Sequence, residues 1–234
     1  MGHYFRVILL YCCGMTFSQA PWSENTEKRC GMQKVMIAIM LCLVLSIPSR
    51  ALCETDKETK SWSGNVNLFL GEKFLDKDDW EPMEKRFEAG LLMDVKHRGV
   101  PFSIALDVLY AQDKADISSI DLGIGPFCTD VESRIMEFDV GVRKIWECPY
   151  NIRPFVGIGL ANIIGEIRAE SFGSSVSDKD LGYGMWADIG AYVTLTERFN
   201  IGVEARWSNV QINLYGAEAR VGGWHVGVLT GMHW

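Results

Sequence analysis

The run Arg206-Trp207-Ser208-Asn209 sets a hydroxyl among polar neighbours near the end of the chain. A serine becomes a nucleophile only beside a base that takes its proton. Two positions before it stands an arginine, which stays protonated near neutral pH and cannot be that base. Two histidines further on, His225 and His233, share one parity of an alternating stretch, which leaves a rearranged nucleophile–base pair open. The plainer reading is favoured: Ser208-Asn209 opens a loop, and the histidines are interior hydrogen-bonding residues.

Carboxylates offer a second chemistry. Asp76, Asp78, Asp79 and Glu81 cluster in one polar segment, and Asp113, Asp116 and Asp121 in another. Such groups take Ca²⁺ or Mg²⁺, but no spacing resembles an EF-hand, and solvated charged loops are the expectation. Gly157-x-Gly159 lacks the helix that follows a nucleotide-binding turn. No C-x-x-C pair exists, so zinc and thioredoxin-like redox sites have no support. No cofactor and no metal site are expected.

The elements that must position these groups are strands. Residues 224–234 read W-H-V-G-V-L-T-G-M-H-W. Trp224, Val226, Val228, Thr230, Met232 and Trp234 share one face, and His225, Gly227, Leu229, Gly231 and His233 the other. A strand that crosses a membrane needs about 9–11 residues, with aromatics at its two interfaces. The same period recurs over 62–70, 87–96, 102–110, 135–146, 152–163, 183–195 and 199–207, which makes eight strands. The phase of 152–163 is the least defined, since Phe155 suits either face. Connections alternate: short at 97–101, 147–151 and 196–198, long and polar at 71–86, 111–134, 164–182 and 208–223. Short turns on one rim and long loops on the other are the layout of a transmembrane barrel.

The two faces decide which side meets lipid. The apolar face ends in aromatics: Trp62, Phe102, Trp146 and Trp234 toward the short-turn rim, Tyr110, Tyr183, Trp207 and Trp224 toward the long-loop rim. Two girdles have no use in a soluble ligand-carrying barrel, whose apolar face points inward. The opposite face holds Glu88, Asp94, Asp107, Glu137, Asp139, Arg143, Asp188, Glu204 and Arg206 among glycines. Charges enclosed in a barrel must pair or meet water. Eight strands enclose a space that side chains just fill, so a salt-bridged plug is expected and an open pore is not.

The N-terminal part reads as targeting. Met32 opens a second start, with Lys34 as a positive flank, an apolar run over 35–47, and Ser49-Arg50-Ala51 as a cleavage site. Residues 1–31 are then an extension, 32–51 a signal peptide, 52–61 a periplasmic lead-in and 62–234 the barrel. Of the chain's 7 cysteines, Cys53, Cys128 and Cys148 remain after cleavage. Cys53 and Cys148 fall near the short-turn rim, where an oxidising compartment permits a bridge that geometry must decide. Net charge is −7 with no basic run, so no nucleic-acid partner is expected.

These strands, the signal-like segment and the aromatic C-terminus resemble the small outer-membrane β-barrel family, the OmpA-transmembrane, OmpX and OmpW class. The resemblance implies an all-β, eight-stranded antiparallel up-and-down barrel in the outer membrane of a Gram-negative-type bacterium. It implies long loops outside and both termini in the periplasm. It implies contact with outer-membrane lipid and lipopolysaccharide, a surface ligand of unspecified kind, and a final strand ending in Trp234 that barrel-assembly machinery reads. The implied role is non-enzymatic: scaffold, narrow porin-like channel or surface-loop interaction protein. Two alternatives accompany it. A lipid A-modifying hydrolase is one, because lipid A deacylases carry a His-x-Ser-Asn run that residues 206–209 match except for the arginine. A soluble lipocalin-like barrel is the other.

Overall fold

Residues 61–116, 130–171, 174–196 and 198–234 are described by the computed structural model. The expectations for residues 1–60, with Cys53, and for Cys128 and Asp121 lie outside them.

Eight strands form one closed antiparallel ring. They are β1 (Trp62–Phe74), β2 (Lys85–His97), β3 (Ser103–Asp116), β4 (Asp130–Ile145), β5 (Ile152–Ser171), β6 (Ser174–Thr194), β7 (Phe199–Asn209) and β10 (Trp224–His233). Each pairs with its neighbour in sequence, and β10 closes on β1. Closure runs down to the last residue, where Trp234 N donates to Gly64 O at 3.1 Å and Gly64 N to Trp234 O at 3.2 Å. A closed ring leaves no unpaired sheet edge, the condition for a sheet in hydrocarbon.

Burial follows the expected parity. Along β3, Ile104, Leu106 and Val108 are exposed while Ser103, Ala105, Asp107 and Leu109 are buried. The outward face is therefore apolar while the charged residues lie inside among apolar and small ones, unlike a soluble barrel with its polar exterior. Leu160, Ile189 and Val203 are about three-fifths exposed. Phe155, ambiguous in sequence, faces inward and stacks on Tyr192 at 4.6 Å between ring centres. Gly190 makes that possible, since a Cβ there would lie 2.3 Å from the Phe155 ring.

Four strands run well past their expected ends because the pattern inverts instead of stopping. Tyr110, Met136, Ile164 and Leu181 are successive partners across β3, β4, β5 and β6. The next outward row toward the loops is Gln112, Arg134, Glu166 and Lys179, again successive partners. Beyond the Tyr110–Leu181 row the inward residues of β4 and β5 become mostly apolar: Ile135, Val131, Ile167 and Ala169 are buried, with Ser133 among them. The barrel thus leaves the apolar belt and continues as one of soluble type, with an apolar core.

The expected loops carry further structure. Segment 71–86 contributes Gly71–Phe74 to β1, a short helix α1 (Lys77–Trp80), and Lys85–Arg86 to β2. Segment 164–182 is the continuation of β5 and β6 as one hairpin. Segment 208–223 holds a small hairpin, β8 (Gln211–Leu214) and β9 (Ala217–Arg220). Its turn is Tyr215-Gly216, both at positive φ (50° and 78°), the two-residue geometry that suits strand twist. Leu75, Trp80 and Met83 from the first segment pack with Val210, Ile212 and Val221 over the mouth of the barrel.

Candidate functional site

The interior was built by alternation, and all nine charged residues expected inside are buried, none more than 6% exposed. Two arginines organise them. Arg143 reaches Asp188 at 2.6 Å and Asp107 at 2.9 Å. Arg206 reaches Asp107 at 2.5 Å, Glu204 at 2.9 Å, and Asp139. Asp107 is therefore shared by both guanidinium groups. Asp94 accepts from Asn65 Nδ2 at 2.7 Å and lies 3.8 Å from Arg143.

Apolar layers bracket this belt. Phe69, Leu92, Leu109, Phe155, Tyr192 and Leu229 form one cluster, and the loop-side core that includes Trp186 forms the other. Arg143 touches both, 5.2 Å from the Phe155 ring and 5.8 Å from Trp186, while Arg206 lies 4.8 Å over Trp186. Gly159 explains how an indole fits: a Cβ there would stand 2.7 Å from Trp186 Nε1 and 2.2 Å from Val140 O. Glycine facing a narrow interior is thus a matter of crowding.

A second cluster lies toward the long loops. His225 pairs across the sheet with Arg206 on one side and Lys73 on the other. Its Nδ1 is 2.7 Å from Glu88 Oε2, and its Nε2 is 3.1 Å from Ser208 Oγ. Glu137 Oε2 lies 3.7 Å from Nε2 and receives Lys73 Nζ at 2.6 Å. All five side chains are buried. Sequence placed Glu88, Glu137 and His225 inside but missed Lys73, which stood in an expected loop, and read Ser208 as opening another. Alternation gives a residue's face; only register gives its height, and register brings Ser208, His225 and Glu88 together.

The trio Glu88, Glu137 and His225 could in principle hold a metal, its ligand atoms lying within 4.8 Å. Their donors are already engaged: Glu88 with His225, His225 with Ser208, and Glu137 with the Lys73 ammonium. The Lys73 ammonium on Glu137 already places one cation at this group. Two acids of the first long loop, Asp76 and Asp79, are engaged as well. Asp76 accepts from Asp78 N at 3.1 Å and from Arg220 Nη1 at 2.9 Å. Asp79 accepts Arg220 N at 3.1 Å, and burial holds its carboxyl above the ordinary carboxylate range. Asp113 accepts Lys114 N at 2.8 Å.

The girdle residues are outward with one exception. Trp62, Phe102, Tyr110, Tyr183, Trp224 and Trp234 are exposed, and Trp207 is half-buried. Trp146 is only 7% exposed and so presents no ring to the surroundings. It stands one residue past the end of β4, where the strand no longer sets which way its side chain points, and its backbone N–H donates to Pro154 O at 2.9 Å. Cys148 is half-buried in the same short turn. No helix among the described residues is long and apolar enough to cross a membrane, which says nothing of crossing by strands.

No family model matches the chain, and no curated protein does. Solved structures do. The attachment invasion locus protein Ail of Yersinia pestis, in complex with the heparin analogue sucrose octasulfate, is 12% identical with a TM-score of 0.51, over 75% of this chain and 100% of that one. The outer membrane protein OprG of Pseudomonas aeruginosa is 11% identical with a TM-score of 0.50, over 75% and 97%. A major outer membrane protein of Thermus thermophilus is 12% identical with a TM-score of 0.50, over 75% and 99%. At such identities the likeness is one of fold, and it agrees with the ring of strands traced above. The chain therefore has the fold of the small eight-stranded outer-membrane β-barrels.

Proposed function

We propose that this protein is a non-conducting barrel of the outer membrane, with its extended mouth and long loops at the cell surface and its short turns in the periplasm. One observation carries the reading: the space inside the ring is occupied by two apolar clusters with an ion-paired belt between them. The exposed apolar belt supports the membrane location, because such a surface in water would be a large unpartnered apolar patch. The inversion row supports the orientation, since a barrel that turns polar outside and apolar inside is leaving hydrocarbon for water. The same exposed belt argues against a soluble ligand carrier.

The role we assign is that of a membrane scaffold that presents its loops, with lipid and lipopolysaccharide as its surroundings and Trp234 as part of the signal for barrel assembly. Heat-modifiable migration in detergent gels and recovery in the outer-membrane fraction are expected. Liposomes carrying the barrel are expected to swell in a small saccharide no faster than empty ones. A soluble periplasmic product, or rapid swelling, would contradict the reading.

A further inference from the structure

The cluster under the mouth has a geometry that structural packing does not require. A hydroxyl, an imidazole and a carboxylate stand in series, Ser208 Oγ to His225 Nε2 at 3.1 Å and His225 Nδ1 to Glu88 Oε2 at 2.7 Å. This is the order of nucleophile, base and orienting acid that activates a serine. The three come from β7, β10 and β2, and each pairing uses a different ring nitrogen. Glu137, held by Lys73, faces the Nε2 edge that becomes cationic when the serine gives up its proton.

What lies above the relay is apolar. Ser208 N donates to Gly223 O at 2.9 Å, and Val221 N donates to Val210 O at 3.0 Å, so the base of the β8–β9 hairpin adjoins the serine. Val210, Ile212, Leu214 and Val221 on this hairpin pack on Trp80 and Met83. At its outer side the hairpin is held to the first loop by Trp80 Nε1 to Arg220 O at 2.6 Å, Arg220 N to Asp79, and Arg220 Nη1 to Asp76. Arg220 is half-exposed, so its ion pair is a surface one, the kind that a modest rearrangement releases.

We propose that Ser208, His225 and Glu88 are an acyl-transfer centre closed by the β8–β9 hairpin, and that its substrates are carboxylic esters of apolar acyl chains. Lifting the hairpin uncovers the serine beneath a wall of aliphatic and aromatic side chains, a surface suited to an acyl chain and not to a polar one. Ser208 Oγ then forms a bond to the acyl carbon while its proton passes to His225 Nε2. The ester C–O bond breaks, and the departing alcohol takes the proton from Nε2. Water attacks the acyl-serine, its proton passing to Nε2, and the collapse returns that proton to Ser208 and frees the carboxylic acid. Glu88 holds Nδ1–H throughout and is a positioning residue. This goes beyond the scaffold reading: a barrel without a reactive serine would still be non-conducting.

The test treats the mature barrel in detergent micelles with an alkyl fluorophosphonate and reads intact mass, with heat-modifiable migration as the check that every variant is folded. One adduct is expected, located on Ser208 and absent from Ser208→Ala. His225→Gln should label about 100-fold more slowly, and Arg220→Ala about fivefold faster because the hairpin opens more often. Turnover of nitrophenyl decanoate should exceed that of the acetate and fall with Ser208→Ala. Folded wild-type and Arg220→Ala barrels that both stay unlabelled at Ser208 would overturn the proposal. So would labelling that His225→Gln leaves unchanged.

Discussion

Arg206 carries more of the interior than any sequence position suggests. Its guanidinium serves Asp107, Asp139 and Glu204 and lies over Trp186. Removing one partner of a buried ionic cluster leaves the others without compensation, at a cost of about 3–5 kcal/mol. Arg206→Ala should therefore lower the unfolding free energy of the detergent-folded barrel, measured by urea titration, by that amount. Arg220→Ala, at a half-exposed pair, should cost no more than about 1 kcal/mol. Tryptophan contact with lipid gives a second check at this scale. In brominated-lipid vesicles, single-tryptophan barrels retaining Trp62 or Trp224 should be strongly quenched, and those retaining Trp146 or Trp186 should not, because only the first pair is exposed.

Strands and hairpins reveal what a two-residue period can and cannot convey. It identified the eight ring strands and the face of nearly every residue, including all nine buried charges. It stopped short on β3, β4, β5 and β6, because beyond the row Tyr110–Met136–Ile164–Leu181 the outward residues turn polar while the inward ones of β4 and β5 turn mostly apolar. A search for greasy outward faces reads that inversion as loop. The β8–β9 hairpin was missed for a related reason: its Tyr215-Gly216 turn sits between runs of only four residues. The inversion has a direct consequence. Single cysteines at Glu166, Arg168 and Lys179 should react with a membrane-impermeant maleimide in vesicles, whereas cysteines at Leu160, Leu181 and Ile189 should be protected. Equal reaction at both sets would mean that the row is not the lipid boundary. Gly159→Val should abolish the heat-modifiable form, since its side chain would collide with Val140 O and Trp186.

For the whole molecule, the central claim is that the ring is filled. An eight-stranded barrel has room for side chains or for a very narrow water path, and here arginines bridge the interior between an aromatic layer on each side. Opening a path would separate charge-assisted bonds that share acceptors, notably at Asp107 and Asp188, so occasional fluctuation should not produce a conducting state. The proposed relay beneath the mouth is compatible with this, because Ser208 lies on the loop side of the belt residue Arg206 on the same strand. Single-channel recording of the folded barrel in planar bilayers tests the claim most directly. A flat baseline at 100 mV in molar KCl is expected; discrete, reproducible conductance steps that survive further purification would show an open path through the ring.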